Sequence, residues 1–351
     1  MTTHGFNIAG REISPQNPPY IIAELSGNHD GSLDKAKELV LAAVGAGVDA
    51  IKIQTYTADT ITIPSSRPEF LLDSGLWAGR TLHDLYAEAH TPWEWHEPLF
   101  NLASEHGVAM FSSPFDHSAV DYLENLQVPA YKIASFEVVD IPLIEKVAKT
   151  GKPMIISSGM ATKDEISEAL AAFRGAGGKQ VALLHCVSGY PTPISHSNLL
   201  TMVDKSNQFD ADIIGLSDHT PGINVPVAAV ALGARIIEKH LCLSRHDGAV
   251  DSAFSLEPDE FKSLVEGCNQ AYEALGQVNY ELKASEVENR NMRRSIYVVR
   301  DVIKGDVLTT EDVRSIRPAN GLHPRHLHEV IGKKTSQNIE KGTPLAWELL
   351  E

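Results

Sequence analysis

The chain has 351 residues, 43% of them hydrophobic, and a formal net charge of -16 at pH 7. This length accommodates one large domain and one small domain, each with a buried core. The negative charge argues against nonspecific binding to nucleic acid or to an anionic membrane surface, although a local basic pocket can still hold a small anion.

The sequence carries no sign of export or of a membrane span. No segment approaches the roughly 18 uninterrupted apolar residues that a spanning helix needs, and the first residues lack the pattern of a signal peptide. We therefore expect a cytoplasmic protein. The three cysteines, Cys186, Cys242 and Cys268, are odd in number and lack CxxC spacing. The odd number argues against a disulfide framework, and the absence of CxxC spacing argues against a cysteine-rich zinc site. We therefore expect buried thiols.

The predicted elements begin with a hairpin over FNIAGREI, with Gly10 in its turn, which we expect to close one end of the fold. Short apolar runs then alternate with amphipathic segments that begin at Ser or Thr caps and end at Gly. Eight strand-helix units of this kind predict an α/β fold, a closed (β/α)₈ TIM barrel, with a doubly wound open sheet as the alternative. The predicted strands are 20–25, 49–56, 108–115, 130–135, 153–159, 181–188, 212–219 and 235–243.

Two segments depart from this alternation. The connection 57–90 is longer than a barrel requires, and we expect it to cover the mouth as a lid or a wall. After residue 276 the pattern changes to short strands, a KGD turn and a capped segment TTEDV. We therefore predict a barrel domain over 1–281 that includes the hairpin, a linker over 282–294 and a small domain over 295–351.

Polar residues follow each apolar run, at the strand ends where barrels of this class hold their chemistry. We expect all of them to converge on one rim. The hydrogen-bond donors among them form a group suited to a phosphate and a carboxylate, although any single member could instead be a solvated or well-fitting strand end. This group is Lys52, Ser113, Lys132, Ser135, Ser157 and Ser217.

Two histidines end consecutive predicted strands. His219 and His240 should lie side by side at the rim, with Glu238 and Asp251 near them. Two neutral imidazoles are suited to one divalent cation whose other positions stay open to water and substrate. The alternative is that each histidine is structural. HExxH is absent, which argues against a zinc protease.

Several segments together resemble the sialic acid synthase family. They are IIAELSGNHDG, DAIKIQTY, FSSPFD, YKIAS, MIISSGM, GLSDHT, IEKH and SIRPANG. Members of this family join phosphoenolpyruvate to an amino-sugar aldose in a (β/α)₈ barrel followed by a small antifreeze-like SAF domain of the β-clip type. SGNHD, QTYTADT, TPWEWH and SIYVV are most similar to the branch that uses a 2,4-diacetamido-2,4,6-trideoxy-altrose as acceptor.

The resemblance implies roles for individual residues. It implies that phosphoenolpyruvate binds to the six donors named above, and that a divalent cation, manganese or a substitute such as magnesium or cobalt, binds to His219 and His240. The catalytic acids would be Glu24, Glu238 and Asp251, and the residues that contact the sugar would be Ser188 and Tyr190. Arg317 would reach the active site of a partner subunit, which implies a domain-swapped homodimer.

One motif argues against N-acetylmannosamine, the acceptor of the neuraminate-forming members. Family members that form neuraminate commonly read HCTNIYP, whereas this chain reads HCVSGYP, with Ser188 and Gly189 at the altered positions. The alternatives left open are an N-acetylneuraminate or legionaminic acid synthase, an aldolase that forms a Schiff base at Lys132, and a non-catalytic sugar-binding protein.

Overall fold

The computed structural model describes residues 5–351. It divides into two compact units, the first ending at Gly276 and the second comprising Gln277–Glu351. Each unit has its own hydrophobic core. Cys186, Cys242 and Cys268 are free and buried, as the sequence predicts.

The first unit opens with the predicted hairpin. Its strands β1 (Phe6–Ile8) and β2 (Arg11–Ile13) pair antiparallel, and Gly10 takes a φ of 86° in the turn. Phe6 is buried in the same core cluster as the barrel strands. Arg235, which directly precedes the last barrel strand, donates to the carbonyl of Pro15, which follows the hairpin. The hairpin segment therefore covers the amino ends of the barrel strands.

Eight parallel strands among the described residues form a closed barrel. The last of them pairs with its predecessor and also with the first, Glu238 lying opposite both Ser217 and Ile22. The predicted (β/α)₈ barrel is therefore confirmed, and the open sheet is excluded. The strands are β3 (Tyr20–Glu24), β4 (Ala50–Thr55), β5 (Ala109–Pro114), β6 (Tyr131–Ile133), β7 (Met154–Ser157), β8 (Val181–Cys186), β9 (Ile213–Asp218) and β10 (Ile236–His240).

Helices surround the barrel and follow the capping signals in the sequence. The hydroxyl of Ser32 caps one helix and Gly47 ends it in the left-handed region, while Thr162 and Glu165 form a reciprocal capping box. No helix within 5–351 is long and apolar enough to cross a membrane. The helices are α1 (Leu33–Ala46), α2 (Ala58–Ile61), α3 (Leu82–Ala89), α4 (His96–Glu105), α5 (His117–Asn125), α6 (Ile141–Ala148), α7 (Lys163–Gly175), α8 (Leu199–Gln208), α9 (Asn224–Ala231) and α10 (Pro258–Leu275).

The long connection after β4 contains α2, α3 and, between them, a narrow hairpin. Leu71 and Thr81 form an antiparallel bridge, and the Gly79 N–H donates to the Leu72 carbonyl over 2.7 Å. The indole of Trp77, near the tip, donates to the Val250 carbonyl in the loop after β10. The connection therefore lies against the carboxyl ends of the strands, which agrees with the predicted wall.

The second unit is a small β-rich fold. Its strands β11 (Ser295–Val298) and β12 (Val313–Ile316) pair antiparallel, and isolated bridges tie in the rest of the chain. Short helices α11 (Val287–Arg290) and α12 (Leu327–Val330) accompany them. The core contains Ile296, Val298, Leu308, Val313 and Leu345, each almost fully buried.

Candidate active site

Successive residues at the strand ends point to opposite faces of the barrel wall, and this alternation sorts the polar residues into two sets. Ser157 contacts Lys132 inside the barrel, whereas the next residue, Ser158, accepts from Lys205 of α8 in the outer layer. The expectation that all strand-end polar residues share one rim is therefore wrong. Four of them belong to the outer layer: Ser112, Ser158, His185 and Lys239.

The inner set contains four charged side chains in one buried network. Lys52 Nζ lies 2.7 Å from Glu24 Oε2 and 3.3 Å from Glu238 Oε1, and Lys132 Nζ lies 3.8 Å from the same Glu238 oxygen. Gln54 donates to the other oxygen of Glu24. All four charged groups are nearly inaccessible to solvent, so each depends on the others to offset the cost of burial.

This arrangement separates the two carboxyl groups in acidity. Burial raises the pKa of Glu24 above its ordinary value. Burial acts on Glu238 in the same sense, but Lys132 and Lys52 outweigh it and lower the pKa of Glu238. Burial also lowers the pKa of Lys132. Groups whose environments push their pKa values apart are suited to different proton-transfer roles, Glu24 holding a proton more readily than Glu238.

The serines predicted for anion binding surround these lysines. Lys52 donates to Ser113 over 3.3 Å, and Lys132 donates to Ser157 over 2.6 Å. Ser217 donates to Glu238, and Ser135 accepts from the Gly159 N–H. Ser113, Ser157 and Ser217 are thus bonded directly to the network of Lys52, Lys132 and Glu238, and Ser135 lies at the neighbouring backbone of Gly159.

His219 and His240 come together at the edge of this network, with ring centroids 5.3 Å apart. Nδ1 of His219 lies 3.0 Å from the Val187 carbonyl, and Nδ1 of His240 lies 3.0 Å from Ser26 Oγ. A carbonyl can only accept, so Nδ1 of His219 carries the proton, and in the neutral ring Nε2 is the nitrogen that can bind a cation. Burial keeps the pKa of His240 well below its usual range, which favours the neutral ring.

These residues fit a divalent cation. Two imidazoles oriented through Nδ1 offer Nε2 ligands, and Glu238 Oε2 is buried without a hydrogen-bond partner among the described residues. No cluster of three or more His, Cys, Asp or Glu ligands occurs in residues 5–351. A cation held by two protein nitrogens would have open positions for water and substrate.

Asp251 lies beside the histidine pair. Its Oδ2 accepts from the Gly27 N–H over 3.2 Å, in the turn that also carries Ser26. Burial raises the pKa of this carboxyl group. The loop after β10 and the turn after β3 are thereby joined next to the two imidazoles.

A wall of aromatic rings packs against the two histidines, and only one of its members was predicted from the sequence. The ring of Tyr190, which was predicted, lies 4.5 Å from that of His219 between centroids. Phe254 and Trp77 were missed: their ring centroids lie 5.1 Å and 5.7 Å from that of Tyr190. Both residues lie in loops distant along the chain, and no strand-end pattern marks them. Ser188 Oγ, also at this side, has no hydrogen-bond partner in the described part of the chain.

Glu137 is a third residue that sequence reasoning missed. It lies in the 3-10 turn Ser135–Val139 after β6, two residues beyond Ser135. Burial raises the pKa of its carboxyl group to about 7, and its Oε2 lacks a hydrogen-bond partner among residues 5–351. The available signal was its place after the strand that carries Lys132.

Arg317 lies in the second unit, directly after β12. It lines a groove of about 520 Å³ that is rich in basic side chains. The groove is formed by Asn289, Met292, Arg293, Arg294, Arg317, His323 and Pro324.

A closed (β/α)₈ barrel with buried lysines and paired histidines at the carboxyl ends of its strands is typical of an enzyme, with a site suited to a small anion. The NeuB family pattern matches residues 39–280, and the SAF domain pattern matches residues 293–351. The chain belongs to the NeuB family.

Individual relatives agree over nearly the whole chain. The chain is 44% identical to a pseudaminic acid synthase of Campylobacter jejuni over 93% of its own length and 95% of that protein. It is 43% identical to a pseudaminic acid synthase of Helicobacter pylori over 95% of its length and 98% of the relative. The crystal structure of N-acetylneuraminic acid synthetase from Leptospira borgpetersenii in complex with citrate has a TM-score of 0.72 at 31% identity, covering 82% of this chain and 95% of that one.

Proposed function

We propose that this protein is a pseudaminic acid synthase. It condenses phosphoenolpyruvate with 2,4-diacetamido-2,4,6-trideoxy-altrose and releases phosphate. The proposed class of reaction is supported by one observation: Lys52 and Lys132 both lie against Glu238, next to the paired imidazoles of His219 and His240. The acceptor is proposed from the identity to the two pseudaminic acid synthases, and the product could alternatively be N-acetylneuraminate or legionaminic acid.

The first task of the site is to hold a highly charged substrate. Lys52 and Lys132 supply two ammonium groups, and the hydroxyls of Ser113, Ser135, Ser157 and Ser217 complete the bed for phosphate and carboxylate. These groups are buried and oriented by one another, so the anion meets donors that are already in place and competes with Glu238 for the two lysines.

The second task is to join the two substrates. The C3 carbon of phosphoenolpyruvate attacks the aldehyde carbon of the sugar, a new C–C bond forms, and the aldehyde oxygen becomes a hydroxyl. A divalent cation on His219 and His240 supplies Lewis-acid chemistry at that oxygen, and we propose manganese as the physiological ion. Glu24, whose pKa is raised by burial, is the proposed donor of the proton that this oxygen gains.

The third task is to release phosphate. Water adds to the oxocarbenium-like carbon C2, and one proton of the water passes to a carboxylate. The bond from C2 to the phosphate oxygen then breaks while the new hydroxyl oxygen forms the C2 keto group and releases its remaining proton, which gives phosphate and the 2-keto acid. Glu238, kept ionised by the two lysines, is the proposed acceptor of the first proton. Asp251 is the third proposed acid, beside the histidines, and Ser188 and Tyr190 are proposed to contact the sugar.

The decisive experiment measures phosphate release from phosphoenolpyruvate against a panel of acetamido sugars. Metal is first removed with a chelator and then restored with manganese, magnesium or cobalt in parallel samples. The diacetamido-trideoxy-altrose should give the highest kcat/KM of the sugars tested. Highest turnover with N-acetylmannosamine would instead assign a neuraminate synthase. Sugar binding without phosphate release under any of these conditions would assign a binding protein.

A Schiff-base aldolase is tested separately, because the lowered pKa of Lys132 would also suit an amine nucleophile. Borohydride reduction in the presence of pyruvate should leave Lys132 unmodified. Covalent attachment at Lys132, detected by mass spectrometry, would contradict the synthase.

We further propose a domain-swapped homodimer in which Arg317 reaches the acceptor site of the partner subunit. The proposal is supported by charge: residues 277–351 contain 12 Lys and Arg and 11 Asp and Glu, a net charge of +1, so the first unit carries a net charge of -17. A basic groove on one unit therefore complements an acidic barrel on another chain. The proposed location is the cytoplasm, where phosphoenolpyruvate is available.

Mixed dimers test the exchange. Arg317→Ala should raise the acceptor KM far more than the phosphoenolpyruvate KM, and His219→Ala should be inactive. When the two variants are unfolded and refolded together, a swapped dimer recovers one intact site in each heterodimer, about a quarter of wild-type activity. Absence of recovery would show that Arg317 serves its own chain.

A further inference from the structure

Trp77 occupies an unusual position in the long connection between β4 and α4. The hairpin from Leu71 to Thr81 closes through Leu72 and Arg80, with Gly75 and Gly79 in the left-handed region. Residues 73–79 at its tip are exposed with the exception of Trp77, which is partly buried. The hairpin therefore directs one large side chain inward.

The contacts of Trp77 place it at the outer end of the aromatic wall. Its ring centroid lies 5.7 Å from that of Tyr190 and 6.5 Å from that of Phe254. Those rings lie in turn 4.5 Å from His219 and 4.9 Å from His240. Trp77 is thus one ring removed from the proposed cation ligands.

The polar atom of Trp77 is already used. Its Nε1, which can only donate, bonds to the Val250 carbonyl over 2.9 Å. The rest of the indole offers an apolar face and no hydrogen-bonding group. A substrate group that lies against this face is favoured when it is apolar and loses hydrogen bonds to water when it is polar.

The proposed acceptor has an apolar end that matches this surface. In the proposed reaction its aldehyde is bound at the histidine pair, and the C6 methyl is the part of the carbon chain farthest from the aldehyde. Trp77 is likewise the ring of the wall farthest from the histidines. A sugar with a C6 hydroxyl would place that hydroxyl against the indole.

We infer that Trp77 is a specificity-determining residue, whose indole face receives the C6 methyl of a 6-deoxy acceptor and selects against a C6 hydroxyl. The inference rests on the proposed function, because it concerns the acceptor of that same reaction. It assigns to the long connection a role in substrate choice that is distinct from covering the mouth of the barrel.

The test compares two acceptors that differ only at C6: the 2,4-diacetamido-2,4,6-trideoxy-altrose and its 6-hydroxy counterpart. Wild-type enzyme should prefer the 6-deoxy sugar by roughly 10- to 100-fold in kcat/KM, the range available to an apolar pocket that excludes one hydroxyl. Trp77→Ala should reduce this preference by about 10-fold or more. The KM for phosphoenolpyruvate should stay unchanged.

Two further variants separate the ring from its hydrogen bond. Trp77→Phe keeps an aromatic face and loses the N–H, so it should retain the preference within about 3-fold. Trp93→Ala is the matched control, because the Trp93 indole also donates to a backbone carbonyl, that of Tyr56, and its ring packs on Tyr122 of α5. It should leave the ratio between the two acceptors unchanged.

The outcomes are distinct. If Trp77→Ala lowers turnover of both acceptors equally, Trp77 only positions the loop of Val250 and Asp251, and the inference is overturned while the proposed function stands. If wild-type enzyme releases no phosphate with either sugar, the proposed function fails and the inference fails with it. A changed ratio in Trp77→Ala, retained in Trp77→Phe, supports the inference.

Discussion

Replacing Glu238 by Gln removes one charge from the buried network and preserves its shape. Glu238 Oε1 lies 3.3 Å from Lys52 Nζ and 3.8 Å from Lys132 Nζ. At an effective dielectric constant of 20, these distances correspond to attractions of about 5 and about 4 kcal/mol. The cost of removing the charges from water offsets part of these attractions. Removing one partner of a buried ion pair therefore costs about 3–5 kcal/mol net. The free energy of unfolding at pH 7 should therefore fall by about 3 kcal/mol.

The same substitution should strengthen the binding of phosphoenolpyruvate. Lys52 and Lys132 are the proposed cations for that substrate, and Glu238 competes with it for both. In chelator-treated protein, the affinity of Glu238→Gln for phosphoenolpyruvate should rise by about 10-fold, or about 1.4 kcal/mol. Lys52→Met should have the opposite effect, while both variants lose turnover.

The pH dependence of stability provides an independent check. The two lysines outweigh burial and lower the folded-state pKa of Glu238, so its contribution to stability is present above the unfolded pKa. It is lost as the pH falls through the lower folded-state value. The difference in unfolding free energy between wild type and Glu238→Gln should therefore shrink below about pH 4.5.

Urea unfolding across pH and isothermal titration with phosphoenolpyruvate measure these quantities. Weaker binding of phosphoenolpyruvate by Glu238→Gln than by wild type would refute the competition between Glu238 and the substrate. An unchanged unfolding free energy at pH 7 would refute the strength assigned to the network.

Three other outcomes follow from the geometry. His219→Ala should abolish phosphate release while far-ultraviolet circular dichroism stays that of the wild type, and an active variant would contradict the metal role. Gly159→Ala should raise the KM values of both substrates about 10-fold, because a Cβ at this position would lie 2.3 Å from Ser188 Oγ. Unchanged kinetics would show that the Ser188 hydroxyl moves away freely. Burial lowers the pKa of Lys205 to about 8, so wild-type stability relative to Lys205→Met should rise from pH 8 toward pH 9.5, by up to about 2 kcal/mol in urea unfolding. A difference that does not vary with pH would contradict this.

The neighbouring residues of GLSDHT illustrate how far a sequence pattern reaches. Polar residues after an apolar run predict a strand that ends at a site, and Ser217 and His219 do face the pocket. Asp218, between them, bonds instead to Lys239 and Thr220 in the outer layer. The pattern identifies the strand end, but which residue faces inward depends on the register with neighbouring strands.

The loops set a second limit on prediction. Trp77 and Phe254 contact Tyr190 from segments that carry no regular periodicity, and Glu137 lies within a short turn after β6. Periodicity and caps constrain helices and strands because they reflect local geometry. The path of a loop depends on packing between residues that are remote in the sequence.

The barrel could be predicted from the amino-acid sequence alone, together with candidate residues for a phosphate and a cation site at the strand ends. Local patterns suffice for this, because strand alternation, helix caps and strand-end positions follow from backbone geometry. The pairing of Glu238 with both lysines, the opposite shifts in the pKa values of Glu24 and Glu238, and the aromatic wall beside the histidines are visible only in the folded chain. These properties arise from burial and from distances between groups on different strands and loops, which no local pattern encodes.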